Sequence, residues 1–187
     1  MENMEQESPM KNIVNGAMMY GTWMGIYWML KFMLVPLMFT VPLASLLFLG
    51  LTAAVPFVGY FFVRHFRERY CLEGRIAFVQ AWMFTLLMYA FAALLASVAH
   101  YVYFAYVDGG ALLGTYVEQL ELLGQLQPEL AEAVAEYKKA AELLVAMSPI
   151  DLTVQMIVNN LFYGMILALP TALVASMWRR KREKIKE

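Results

Sequence analysis

The stretch RHFRERYCLEGR, residues 64–75, decides how this chain is read. It is the most polar island in the middle of a sequence that is 61% hydrophobic and only 16% charged. Soluble domains carry about 45–50% apolar and about 25% charged residues. On one side of the island, residues 13–63 contain a single charge, Lys31. On the other, residues 76–107 contain no Asp, Glu, Lys or Arg. An island of arginines between two such runs reads as a loop at a membrane surface.

The run lengths set the number of crossings. A helix rises 1.5 Å per residue and the hydrocarbon core is about 30 Å thick, so a span needs about 20 apolar residues. Residues 13–63 are too many for one crossing and fit two, joined by a turn near KFMLVP, where Pro36 lacks an N–H and fixes φ. The predicted spans are 13–33 and 37–63, with Pro42 and Pro56 bending the second. A third span is placed at 77–98. Beyond it Tyr101, Tyr103 and Tyr106 suit the headgroup zone, and Asp108-Gly109-Gly110 stops the helix. The fourth, 152–178, ends in WRRKREKIKE. The expected fold is all-α: one membrane domain over 1–187, a four-helix integral bundle with an extracytoplasmic amphipathic helical insert between spans three and four. The acidic start MENMEQESPMK, with no small-residue cleavage site after the first apolar run, predicts a retained span rather than a signal peptide.

Charge gives the orientation. With four spans, both termini and the 64–75 loop share one side, which then holds 11 of the 14 lysines and arginines. The other side holds Lys31, Lys138 and Lys139 together with most of the carboxylates. Basic flanks stay in the cytoplasm, so the termini are expected inside, in a bacterial inner membrane. The bilayer is the first partner. Arg64, Arg67, Arg69, Arg179, Arg180, Lys181 and Arg182 are candidate contacts for anionic lipids, at about 1 kcal/mol each near the surface. The plainer reading, that they only set topology, is preferred. The net charge of −1 points to no partner, and no nucleic-acid binding is expected.

The insert, residues 108–150, has apolar residues at spacings of three and four: Leu113, Tyr116, Leu120 and Leu123, then Leu126, Leu130, Val134, Tyr137, Ala141 and Leu144. That is one apolar stripe on a helix. Pro128 divides it into helices of about 111–126 and 128–146, and Ser148-Pro149 ends the second. Asp151 is placed to cap span four. The stripe must be covered by the insert itself, the bilayer or a protein partner; mutual or bilayer packing is preferred.

Within the spans, Ala17, Gly21 and Gly25, and Gly164, Ala168, Ala172 and Ser176, recur every fourth residue. Small residues so spaced let helices approach closely and are assigned to packing seams. The notable polar residues are Gln80, Gln155, Asn159 and Asn160, read as interhelical hydrogen bonds in preference to substrate contacts. No carboxylate lies at depth, which argues against an ion-coupled transporter. One cysteine, Cys71, excludes an intrachain disulfide. His65 and His100 fall on opposite faces and share no metal. His100 with Asp108 is a weak acid–base pair, about 80° out of register on a helix. Fifteen scattered methionines suit apolar filling rather than copper. No catalytic residue, cofactor or metal site is expected.

The order of features is itself informative: a Gly-rich first span (NGAMMYGTWMGIYW), a second span, a basic loop before a phenylalanine-containing span (RHFRERYCLEGRIAFVQAWMF), then an acidic helical insert ending in SP before the last span and a basic tail (SPIDLTVQMIVNNLFYGMILALP…WRRKRE). This layout resembles the domain of unknown function 4199 family of small bacterial four-span membrane proteins, over nearly the whole chain. The resemblance implies fold and membrane location, and carries no activity or catalytic residues. The expected function is a non-enzymatic scaffold or partner-binding subunit with the insert as its contact surface. The alternative is a small oligomeric transporter or channel using Gln80, Gln155, Asn159 and Asn160. A lipid-acting enzyme is third.

Overall fold

The computed structural model describes residues 9–71 and 76–177. Among them are six α-helices and no strand: α1 (Pro9–Phe32), α2 (Pro42–Tyr70), α3 (Phe78–Val102), α4 (Ala111–Leu126), α5 (Ala131–Val145) and α6 (Pro149–Met177). Three helical segments are long and apolar enough to cross a membrane: Pro42–Tyr70, Phe78–Val107 and Pro149–Met177. At 1.5 Å per residue each is about 43–45 Å long. Helix α1, with 24 residues, is not one of the three. Its mean hydropathy is diluted by Tyr20, Trp23, Tyr27 and Trp28 and by three glycines, which weigh little on a hydropathy scale.

Local chemistry sets the element ends. Between α1 and α2 the backbone makes successive tight turns, with Val35 N–H donating to Phe32 O and Leu37 N–H to Leu34 O. Val41 is extended (φ −123°, ψ 105°), as suits a residue before proline, and Pro42 opens α2. The second long helix therefore starts at 42, not 37, and Pro42 begins it rather than bending it; Pro56 lies inside it. At the start of α3, the Gln80 side chain accepts from Ala77 N–H at 3.2 Å. Helix α3 ends in a π-turn, Tyr103–Val107, closed by Asp108 N–H to Tyr103 O. Gly109 and Gly110 then take φ of 56° and 87°, left-handed values that glycine adopts without steric cost, and the chain reverses into α4. Ser148 caps α6: its Oγ accepts from Asp151 N–H and donates to the Asp151 carboxylate. The cap is thus Ser148, with Asp151 as its partner three residues on.

Helix α3 is the centre. It packs along α1 on one flank and α6 on the other, while α2 lies against α6 and α1. Within the most apolar window of each candidate span, 44% of α3 is buried, against 17% for α2 and 22% for α6. The outer surface is correspondingly greasy: Leu46, Phe57, Leu94, Val98, Phe162 and Leu173 are all exposed. Water-facing surfaces rarely carry contiguous apolar area on this scale.

Tyr89 of α3 ties the long helices together. It is 1% exposed and stacks on Trp28 of α1 at 5.8 Å. A Cβ on Gly59 of α2 would lie 2.3 Å from its hydroxyl, and one on Gly164 of α6 would lie 3.1 Å from its Cβ. Glycine at both positions admits the ring.

Candidate functional site at the two ends of the bundle

At the hairpin end, Phe32 of α1, Phe104 of the π-turn, Leu112 of α4 and Leu152 of α6 form one buried cluster. Asp108 organises it. Its Oδ1 accepts from the Tyr103 hydroxyl at 2.8 Å and from Leu112 N–H at 2.9 Å, and its Oδ2 accepts from Gly110 N–H at 3.1 Å. A carboxylate at the start of α4 also favours the helix dipole. With both oxygens engaged, Asp108 is a structural joint between α3 and the hairpin. His100 is 5% exposed and meets the Phe32 ring edge-on at 4.3 Å, with its Nδ1 buried and without a partner among the described residues. Lys31 is half-buried, its ammonium 5.3 Å above the Phe48 ring of α2.

The hairpin of α4 and α5 closes on itself through Leu120, Val134 and Ala141, with Val117 beside them. A Cβ on Gly124 would come 3.2 Å from Val134 Cγ1, so the helices meet closely near their turn. Lys138 of α5 bridges Glu121 of α4 and Glu142. That hydrogen bond and the neighbouring charge push the Lys138 pKa above its ordinary value. The expected single stripe is only partly buried: Tyr116, Leu123, Leu126, Leu130 and Tyr137 are exposed. Two short helices cannot cover ten apolar positions with one seam.

At the opposite end, the candidate lipid-binding arginines divide. Arg64 and Arg69 are exposed; Arg64 pairs with Glu68 at 3.0 Å, and the Arg69 guanidinium lies 6.0 Å over the Tyr70 ring. Arg67 is 3% exposed and its guanidinium donates to Ala175 O of α6 at 3.0 Å. Its geometry makes a tie between α2 and α6, because a buried charge is held where hydrogen bonds replace its water. Arg179, Arg180, Lys181 and Arg182 lie outside the described residues. Cys71 is half-buried, and burial raises its thiol pKa, partly offset by Arg67. His65 sits at this end beside Phe61, and His100 at the other.

The small-residue positions fall as follows. Ala17 is fully buried, and Gly21 and Gly25 lie against α3: a Cβ on Gly21 would be 2.7 Å from Phe91 Cβ and one on Gly25 3.0 Å from Leu95 Cβ. On α6, Gly164, Ala168 and Ala172 are buried. Ser176 is only half-buried, and Ala175 takes the inward position at that level. The polar set does not converge. Gln80 is exposed at the α3 start, Gln155 and Asn159 are exposed on α6, and Asn160 is half-buried. Gln155 Nε2 donates to Asn159 Oδ1 at 3.2 Å, along one helix rather than between helices. The signals that sequence reading missed, Tyr89 and the Arg67 tie, depend on residues distant in the chain.

These features define a class first: an all-α chain with membrane-like apolar helices around a central α3 and a helical hairpin at one end. The chain belongs to the family described as "Protein of unknown function (DUF4199)", which matches residues 19–176. No curated protein and no solved structure matches it.

Proposed function

We propose that this chain is a non-enzymatic four-span protein of a bacterial inner membrane, with α1, α2, α3 and α6 as its crossings and the α4–α5 hairpin as a docking surface for a partner protein. The hairpin lies on the extracytoplasmic face; residues 64–75 and both ends of the chain lie in the cytoplasm. The observation that carries this reading is the division of labour in the hairpin. Its own seam is closed, and its base is keyed to the bundle through Leu112 and Leu144. Leu122, Leu126, Leu130 and Tyr137 nevertheless stay exposed beside acidic side chains. Helix α1, about 36 Å long and packed along α3, supports a fourth crossing.

The test is replacement rather than deletion. Leu122, Leu126 and Tyr137 are changed together to Ser in the full chain, and crosslinked partners from intact membranes are compared. Loss of a specific partner with the membrane helices intact is the expected result. An unchanged partner set overturns the docking role.

A further inference from the structure

The face of α6 opposite its buried side carries Gln155, Asn159, Phe162, Ile166, Leu169 and Leu173, all exposed. Their spacing alternates four and three, the heptad period on which two parallel helices mesh. The buried side, Gly164, Ala168, Thr171 and Ala175, already faces the chain's own bundle. Asn159 lies about 6 Å, and Gln155 about 12 Å, from the helix midpoint at 1.5 Å per residue. Both therefore fall inside a core of about 30 Å. There is no water at that depth, and an unsatisfied amide is costly. The Gln155–Asn159 hydrogen bond uses one donor and one acceptor. The Gln155 oxygen and the Asn159 amide group are exposed and take no hydrogen bond among the described residues.

We propose that this face of α6 binds a second copy of the chain in parallel, with Gln155 and Asn159 hydrogen-bonding across a two-fold axis along the membrane normal. A carboxamide carries donors and an acceptor, so identical amides satisfy each other across a two-fold. Copies inserted by the same charge bias share one orientation, which makes the pairing parallel. Neither lipid tails nor a purely apolar helix supplies those hydrogen bonds. The inference rests on α6 crossing the bilayer.

The experiment uses the full chain in liposomes, with Cys71→Ser as background. Phe162→Cys and Ile166→Cys on the seam are compared with Tyr163→Cys and Met165→Cys, which are exposed but off it. Under mild oxidation the first two form interchain disulfides and the others do not. Separately, dilution with lipid is followed by energy transfer between labelled copies. Asn159→Leu with Gln155→Leu weakens association by about 3- to 30-fold, the range for interhelical polar pairs in membranes. Disulfides with no preference for the seam, a monomer at every protein density, or undiminished association of the double variant overturns the proposal. A seam crosslink in native membranes to a different protein also overturns it. Should the chain be released from membranes by alkaline carbonate, the membrane reading itself fails; retention with a monomer fails only the pairing.

Discussion

A methyl group on Gly21 has no room: it would meet Phe91 Cβ at 2.7 Å and the Met88 carbonyl oxygen at 2.9 Å, both on α3. A backbone oxygen cannot swing aside as a flexible side chain can, so α1 must shift. Gly21→Ala is expected to destabilise the chain by about 1–3 kcal/mol, the usual cost of overpacking. Gly50→Ala, where nothing lies within 4 Å, is expected to stabilise by about 0.4–1 kcal/mol. Unfolding in detergent micelles measures both, and equal shifts would remove the α1–α3 contact from the account. Cys71 makes a second residue-scale prediction. Because burial favours its neutral thiol, alkylation by iodoacetamide should rise with pH later than that of free cysteine. A pH midpoint for alkylation at or below that of free cysteine contradicts its half-buried setting. Spacing was enough to single out Gly21 and Gly25, since close approach depends on residue size. Nothing local marks Arg67 as buried rather than lipid-facing, because its acceptor lies 108 residues away.

The hairpin is the element whose stability is most separable. Its seam consists of Leu120, Val134 and Ala141, and Val134→Asp puts an unpaired carboxylate in it. Protease cleavage near 124–131 is expected to accelerate while α2, α3 and α6 remain protected; simultaneous loss of all helices would show that the hairpin does not open independently. The Lys138–Glu121 bridge adds a pH dependence. A raised lysine pKa stabilises the folded form below the ordinary value of 10.5, and the contribution disappears as pH climbs through the raised one. The bridge's small share of hairpin stability, followed with a fluorophore pair across it, should therefore fade in that alkaline range. Lys138→Met should abolish the bridge's share of the transition. Pro128 and the three-four spacing made two helices legible beforehand. Which apolar positions would be covered was not, because coverage depends on how α4 rolls against α5.

At the scale of the whole molecule, Tyr89 joins α1, α2 and α6 to α3. Tyr89→Ala should cost about 3–5 kcal/mol, as for other large aromatic truncations, whereas exposed Tyr163→Ala should leave stability nearly unchanged. Thermal unfolding of the two variants distinguishes them, and a similar small loss for both would dismiss Tyr89 as the tie. The sequence by itself determined an all-α chain with long apolar helices and a helical hairpin, with the Asp108-Gly109-Gly110 stop and the Pro128 break. Run length, periodicity and the placement of proline and glycine are local properties that act on the chain before it packs. Only the tertiary structure decided that α3 is central, that Arg67 is an internal tie and that Gln155 and Asn159 face outward. Those outcomes depend on how nearly uniform apolar helices rotate about their axes, and helices that are hydrophobic on all sides carry little periodic signal of which side will be buried.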